Sequence, residues 1–247
     1  THQNVIVANN AFIGGNPGES ALNIDSDAPT CTAINNLFLD LGTAILEETE
    51  LTNPISYNNF RNVTNLLNRN ASSMGSDVEL ISLMLPSFHN NFSWEPGLIG
   101  ETVASGTWTS DPIYDESVSL TTLTDMSQTW EPGEWRGSFL NASSDSDVKR
   151  LFYVVDNTDN TLIIRGNILP TSYAATDQGY SIDDFHLTST SQSMNAGTSM
   201  PSLPEADFEG DPRYCGWMPD IGPDEYNLAP PEAPVITTNN GLDYTTA

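Results

Sequence analysis

The chain has 247 residues, with 7 Lys and Arg against 33 Asp and Glu and a formal charge of −26. Lys149 is the lone lysine; this excludes a nucleic-acid partner, which needs clustered Lys and Arg, and disfavours an anionic membrane surface. No run of about 18 apolar residues is present, so no segment reads as a spanning helix, and 25 Ser, 25 Thr and 24 Asn point to a turn-rich β protein.

The sequence begins at Thr1 without an initiator Met or an apolar leader, which leads us to expect a processed or excised piece of something longer. Short β-forming runs follow, separated by turn residues: Val5-Ile6-Val7, Ala21-Leu22-Asn23-Ile24, Ala33-Ile34 and Ala44-Ile45-Leu46. AsnAsn pairs recur among them with a Phe close behind. They are Asn9-Asn10 before Phe12, Asn35-Asn36 before Phe38, Asn58-Asn59 before Phe60, and Asn90-Asn91 before Phe92. Only 9 Phe exist in the chain, so this recurrence is a repeat and not an accident of composition. One such repeat cannot bury its apolar face alone and must stack on the next. Asn at the same bend of successive repeats can stack its amide, each donating to the next carbonyl. Residues 1–96 are therefore expected to stack, with Asn9, Asn10, Asn35, Asn36, Asn58 and Asn59 as a structural ladder and Phe filling the interior. Val78 to Leu85 reads equally as a buried strand or a short helix.

Residues 97–170 read as an inserted β-rich module. Val118–Leu123, Ser138–Leu140, Leu151–Val155 and Thr161–Arg165 are strand-like, the last two joined by the turn residues 156–160. Trp108, Trp130, Trp135 and Tyr153 supply large apolar surface for its core; the competing reading makes Arg136 or Trp135 a carbohydrate platform. In residues 171–226, Asp207, Glu209 and Asp211 alternate with Phe208 and Gly210. In an extended segment that alternation puts three carboxylates on one side, a set suited to Ca²⁺. The competing reading has Arg213 neutralise one acid and water solvate the others. Asp25/Asp27, Asp145/Asp147 and Asp183/Asp184 are weaker versions, and none matches an EF-hand loop. Residues 227–247 read as a Pro-rich linker, with Pro230, Pro231 and Pro234, and the first strands of a following domain.

The Asn and Phe bends resemble the right-handed parallel β-helix. Residues 97–170 resemble a small β module that recurs inside secreted β-helix proteins, and Asp111–Tyr114 resembles the stretch that often precedes their ending. That ending is matched most closely by Phe185-His186-Leu187, Ser191, Asn195-Ala196-Gly197, Asp207 through Arg213, and Asp220-Ile221-Gly222-Pro223-Asp224-Glu225-Tyr226. These resemble the terminal coil and cap of secreted bacterial and archaeal β-helix surface proteins, with Gln192, Glu209 and Pro223 departing from the pattern. The resemblance implies an all-β fold: a right-handed parallel β-helix, its C-terminal coils and cap, with an inserted small antiparallel module. It also implies an extracellular or cell-surface location.

Cys31 and Cys215 are either a disulfide made in an oxidising compartment or two unpaired thiols. Asn62, Asn70, Asn91 and Asn141 stand in glycosylation sequons, about as many as chance supplies. The sequence holds no HExxH, GxSxG, P-loop or CxxC motif. His2, His89 and His186 are isolated in sequence, and His186 reads as structural. Two functions follow. The first is a non-catalytic, extracellular structural or adhesive segment of a large surface or filament-forming protein, assembling with itself or with other surface proteins and in contact with polysaccharide. The second is a secreted polysaccharide lyase or glycoside hydrolase, for which Arg61 and Arg69 are the basic residues within the repeats and no acid pair can be chosen. Ca²⁺ is the one cofactor expected.

Overall fold

The structure is a computed structural model that describes residues 4–14, 18–25, 30–48, 53–143, 151–169, 175–213 and 216–226. Asp27, Asp145, Asp147, Cys215 and the tail 227–247 lie outside the described residues. The fold is all-β, with one short helix among the described residues.

The first 92 residues supply strands in sets of three. β1 (Val5–Ala8), β2 (Ala11–Ile13) and β3 (Ser20–Ile24) are followed by β4 (Cys31–Ile34), β5 (Leu37–Leu39) and β6 (Thr43–Glu47), then by β7 (Ile55–Ser56), β8 (Asn59–Arg61) and β9 (Asn65–Arg69). Each set adds one strand to each of three sheets: β1-β4-β7, β2-β5-β8 and β3-β6-β9, all parallel. β11 (Phe88–His89) extends the first sheet in parallel, and β10 (Ser72–Ser73) turns back antiparallel on β9.

Register explains the recurrence of Phe. Phe12 is paired with Phe38 and Phe38 with Phe60. Their rings stack at 4.9 Å between centroids in each step, and Phe88 continues the column at 5.7 Å. Ile45, Leu66, Leu67 and Ile55 pack around this column. Full burial of each such side chain contributes about 1.5–3 kcal/mol.

The Asn bends divide into two roles. The first Asn adopts a left-handed backbone, with φ 57° at Asn9 and 54° at Asn35, and Tyr57 and Asn90 take the same place at 55° and 53°. Asn tolerates this region better than most residues. The following Asn is the rung. Asn10 donates its backbone N–H (3.0 Å) and Nδ2 (3.1 Å) to Oδ1 of Asn36. Asn36 does the same to Asn58 (3.0 and 2.9 Å), and Asn58 to Asn91 (3.0 and 3.0 Å). The expected ladder membership is corrected accordingly. Asn9 and Asn35 shape the bend. Asn59 is a strand residue in register with Leu37, and its buried amide has no partner.

The segment left open between strand and helix is helical. α1 (Val78–Met84) begins at Asp77, whose Oδ1 accepts the Leu80 N–H at 2.9 Å. Val78 and Ile81 face the stack; Leu80, Leu83 and Met84 face solvent.

The remaining strands form one antiparallel sheet. In chain order they are β12 (Leu98–Thr107), β13 (Ile113–Asp115), β14 (Leu120–Thr124), β15 (Phe139–Asn141), β16 (Leu151–Asn157), β17 (Thr161–Arg165) and β18 (Gly179–Leu187). Their order across the sheet is β12-β18-β15-β16-β17-β14-β13. The expected boundary at residue 170 falls inside this sheet, because β18 pairs with both β12 and β15. Trp108, Trp130, Leu140, Val154, Ile164 and Tyr180 make its core. Trp108 stacks on Tyr180 at 3.9 Å and donates Nε1–H to the Ala142 carbonyl at 2.9 Å. Trp135 packs edge-on to Trp130 at 6.5 Å, as a member of this core.

Residues 191–226 contain a single bridge, Ala206 to Pro212, among the described residues. This closing segment lies against the side of β5 and does not extend the stack. Parallel sheets are covered on both faces, and Ile221 and Ala196 cover the outward-facing Leu37 and Leu39. Gly222 (φ +116°) donates its N–H to the Asn35 carbonyl at 2.9 Å, and a Cβ there would stand 2.7 Å from Leu37 Cδ1.

Candidate functional site

The densest cluster of ionisable groups joins the end of β18 to the closing segment. Alternation along β18 puts Asp184 and His186 on one face. His186 Nδ1 meets Asp184 Oδ1 at 2.5 Å, and Nε2 meets Glu209 Oε2 at 2.9 Å. Burial alone would lower the imidazole, but the bond and charge of Asp184, the bond to Glu209 and the charge of Asp224 outweigh it and raise His186 to about 9. At neutral pH the ring is an imidazolium that donates from both nitrogens.

Glu209 reaches His186 because residues 205–213 fold back on themselves. Asp207 N–H donates to the Asp211 carbonyl (2.8 Å) and Arg213 N–H to the Glu205 carbonyl (2.9 Å). Asp207 Oδ1 accepts the backbone N–H groups of Glu209, Gly210 and Asp211 at 2.8–2.9 Å, and Oδ2 accepts that of Glu225 at 3.2 Å. Gly210 turns the chain at φ +99°. The segment is a tight turn and not the extended strand that alternation assumed, so the Ca²⁺ set Asp207, Glu209 and Asp211 is corrected. Asp207 is spent on backbone donors. The three groups that do converge, with ligand atoms within 4.8 Å of one another, are His186, Glu209 and Asp224. With a carboxylate at each ring nitrogen of His186, the trio ties β18 to the closing segment.

The acids of Asp220–Tyr226 are used in the same way. Asp224 Oδ2 accepts the Leu187 N–H (2.7 Å). Asp220 accepts from Asn195 (2.6 Å) and Tyr226 (2.7 Å), and Glu225 Oε2 accepts from Asp220 N–H (2.9 Å). Burial, the largest influence on each, raises Asp224 to about 6 and Glu225 to about 8. Arg213, 4% exposed, donates Nη1 to the Gly222 carbonyl (2.8 Å) and Nη2 to the Pro223 carbonyl (2.5 Å). It holds the turn by its carbonyls while its charge faces Asp207, Glu225, Asp224 and Asp220. Sequence reasoning located these acids but not their partners, which come from 5 to 37 residues away.

The other expected residues are dispersed. Arg61 pairs with Glu95 at 2.9 Å, both exposed, and with Asp40 they line a cavity of about 190 Å³. Arg69 pairs with the fully buried Glu47 at 2.5 Å. Glu47 also accepts Asn53 Nδ2 (2.6 Å), and Asn53 Oδ1 accepts the Cys31 N–H (2.7 Å). Cys31 is a buried free thiol, raised by burial and then by the charge of Glu47. Among the sequons, Asn62 is exposed with Nδ2 on Asp40 (2.6 Å), Asn70 is exposed, and Asn141 lies on β15. Asn91 is corrected from glycan acceptor to ladder rung: it is 8% exposed, and Nδ2 donates to the Ile55 carbonyl.

No family model matches the chain, and neither a curated protein nor a solved structure matches it. Among the described residues no helix is long and apolar enough to cross a membrane.

Proposed function

We propose that the chain is a non-catalytic structural or adhesive segment of an extracellular surface protein, built as a right-handed parallel β-helix with an antiparallel module against it. The observation that carries this reading is the ladder. Four repeats commit an Asn to one continuous hydrogen-bonded row, buried at Asn36, Asn58 and Asn91, and the Phe column beside it is equally continuous. Such conserved geometry along a stack serves mechanical continuity. Two further observations support it. The closing acids bond backbone N–H groups. Assembly with itself or with other surface proteins is part of this reading, and the charge of −26 suits a saline, extracellular surface.

The polysaccharide lyase reading rests on one specific observation, the convergence of Arg61, Glu95 and Asp40 on one small cavity. Sedimentation velocity across a concentration series, run beside cleavage assays on acidic polysaccharides, separates the two. Concentration-dependent association without cleavage supports the structural reading. Cleavage that disappears in Arg61→Ala overturns it.

A further inference from the structure

His186, Glu209 and Asp224 come from three separate segments, β18, the turn 205–213 and the stretch 216–226, yet their ligand atoms lie within 4.8 Å of one another. His186 Nδ1 is held by Asp184, which fixes the ring and turns Nε2 toward Glu209. A carboxylate behind the far ring nitrogen is the usual support of a metal-bound imidazole. Asp207, on the same turn as Glu209, is occupied by four backbone N–H groups and takes no part.

Asp224 shows that the cluster is incomplete in itself. It is 4% exposed, and among the described residues the Leu187 N–H, on Oδ2, is its one hydrogen-bond donor. The second oxygen has none, although the carboxylate stands beside His186 and Glu209. Buried carboxylates are ordinarily paired or coordinated to metal. Arg213 directs its Nη donors to the carbonyls of Gly222 and Pro223 and leaves that oxygen open. Glu225 is also short of donors, but no imidazole and second acid converge on it among the described residues. The side chains of His186 and Glu209 are 21% and 24% exposed, so an ion can enter from solvent and keep a water. Gly137 borders both without a side chain; a Cβ there would collide with the Glu209 carboxylate and stand 2.9 Å from His186 Cε1.

We infer that His186 Nε2, Glu209 and Asp224 bind one Zn²⁺ ion, with a water in the fourth position and Asp184 supporting the ring. One imidazole nitrogen with two carboxylates suits Zn²⁺, whereas Ca²⁺ takes six to eight oxygens. Zn²⁺ bonds of about 2.0–2.2 Å set tetrahedral donors roughly 3.4 Å apart, so the 2.9 Å pair of His186 and Glu209 opens by about 0.5 Å as the ion replaces the Nε2 proton. Without metal the imidazolium holds the same three groups together. This site is independent of the role proposed for the stack, and its failure leaves the ladder untouched.

The test is a titration of the intact chain with ZnCl₂ and CoCl₂ at about 0.15 M salt, which screens loose binding to the acidic surface. The expected result is saturable binding of one ion per chain by calorimetry, a rise in melting temperature and the visible absorption band of four-coordinate Co²⁺. His186→Gln and Asp224→Asn should each abolish the band and weaken Zn²⁺ binding at least about tenfold, the effect of losing even a supporting residue. Substitution of the exposed Asp115, Asp115→Asn, should leave binding unchanged. No Co²⁺ band at saturation, equal binding by His186→Gln, or Ca²⁺ competing as well as Zn²⁺ overturns the inference. If His186→Gln fails to fold, the NMR shift of the His186 ring on adding Zn²⁺ to the unsubstituted chain decides, and an unmoved ring overturns it.

Discussion

Asn58→Ala removes the central rung of the ladder, and the structure sets what that costs. The Asn58 side chain donates to Asn91 Oδ1 and to the carbonyls of Ala33 and Ser56, each at 3.0 Å. It accepts from the backbone N–H and Nδ2 of Asn36 at 3.0 and 2.9 Å. The residue is fully buried, so water cannot replace these partners. At about 1 kcal/mol per intramolecular hydrogen bond, the loss is about 4–5 kcal/mol, set against a total stability of roughly 5–15 kcal/mol. Thermal unfolding followed by circular dichroism should show a fall of about 10–20 °C. Asn10→Ala at the end of the row loses the donations of Nδ2 to Ala8 and Asn36 from an exposed residue. Its cost should be about 1 kcal/mol, a shift of about 2–4 °C. Equal shifts for the two variants would refute the ladder as a cooperative buried row.

Three further outcomes are expected. His186 titrates at about 9, above the 6.5 of a free imidazole, so its ion pairs stabilise the fold below about pH 6.5 and are lost as pH rises through 9; Asp224 and Glu225, raised to about 6 and 8, act in the same direction from about pH 4 upward. Melting temperature should therefore fall from pH 5 to pH 9, His186→Gln should flatten the upper part of that fall, and a rise across the same range would contradict the assignment. Arg213→Met should destabilise by about 3–5 kcal/mol, because four nearby acids lose a buried counter-charge, and urea unfolding measures it. Cys31 should resist alkylation in the native chain and react only on unfolding, as read by peptide mass mapping, because burial both shields the thiol and raises its pKa.

The repeat was legible because a ladder demands one residue type at one place. Asn10, Asn36, Asn58 and Asn91 cannot be exchanged without losing a donor or an acceptor, so the sequence advertises them. The register was less legible. Pairing AsnAsn doublets aligns Asn58 with Asn35, whereas the structure aligns it with Asn36, because Tyr57 serves as the left-handed bend in the third repeat. Any residue that tolerates positive φ can stand at that bend, so its identity carries little information. The closing segment shows the opposite failure. Alternating acids at Asp207, Glu209 and Asp211 suggested an extended segment, but the Asp207 carboxylate captures three following N–H groups and Gly210 reverses the chain. Spacing could not announce that turn, nor that Glu209 would meet His186 from 23 residues away. The antiparallel strands were found, while the place of β18 among them depends on long-range pairing that local pattern does not encode.

The account rests on parallel stacking of residues 5–92. The most direct test is a set of nuclear Overhauser contacts on isotope-labelled protein. The account predicts ring-to-ring contacts in the order Phe12, Phe38, Phe60, Phe88 and the cross-strand pattern of parallel pairing between β2, β5 and β8. Close Hα–Hα contacts between those strands, the mark of antiparallel neighbours, would contradict it.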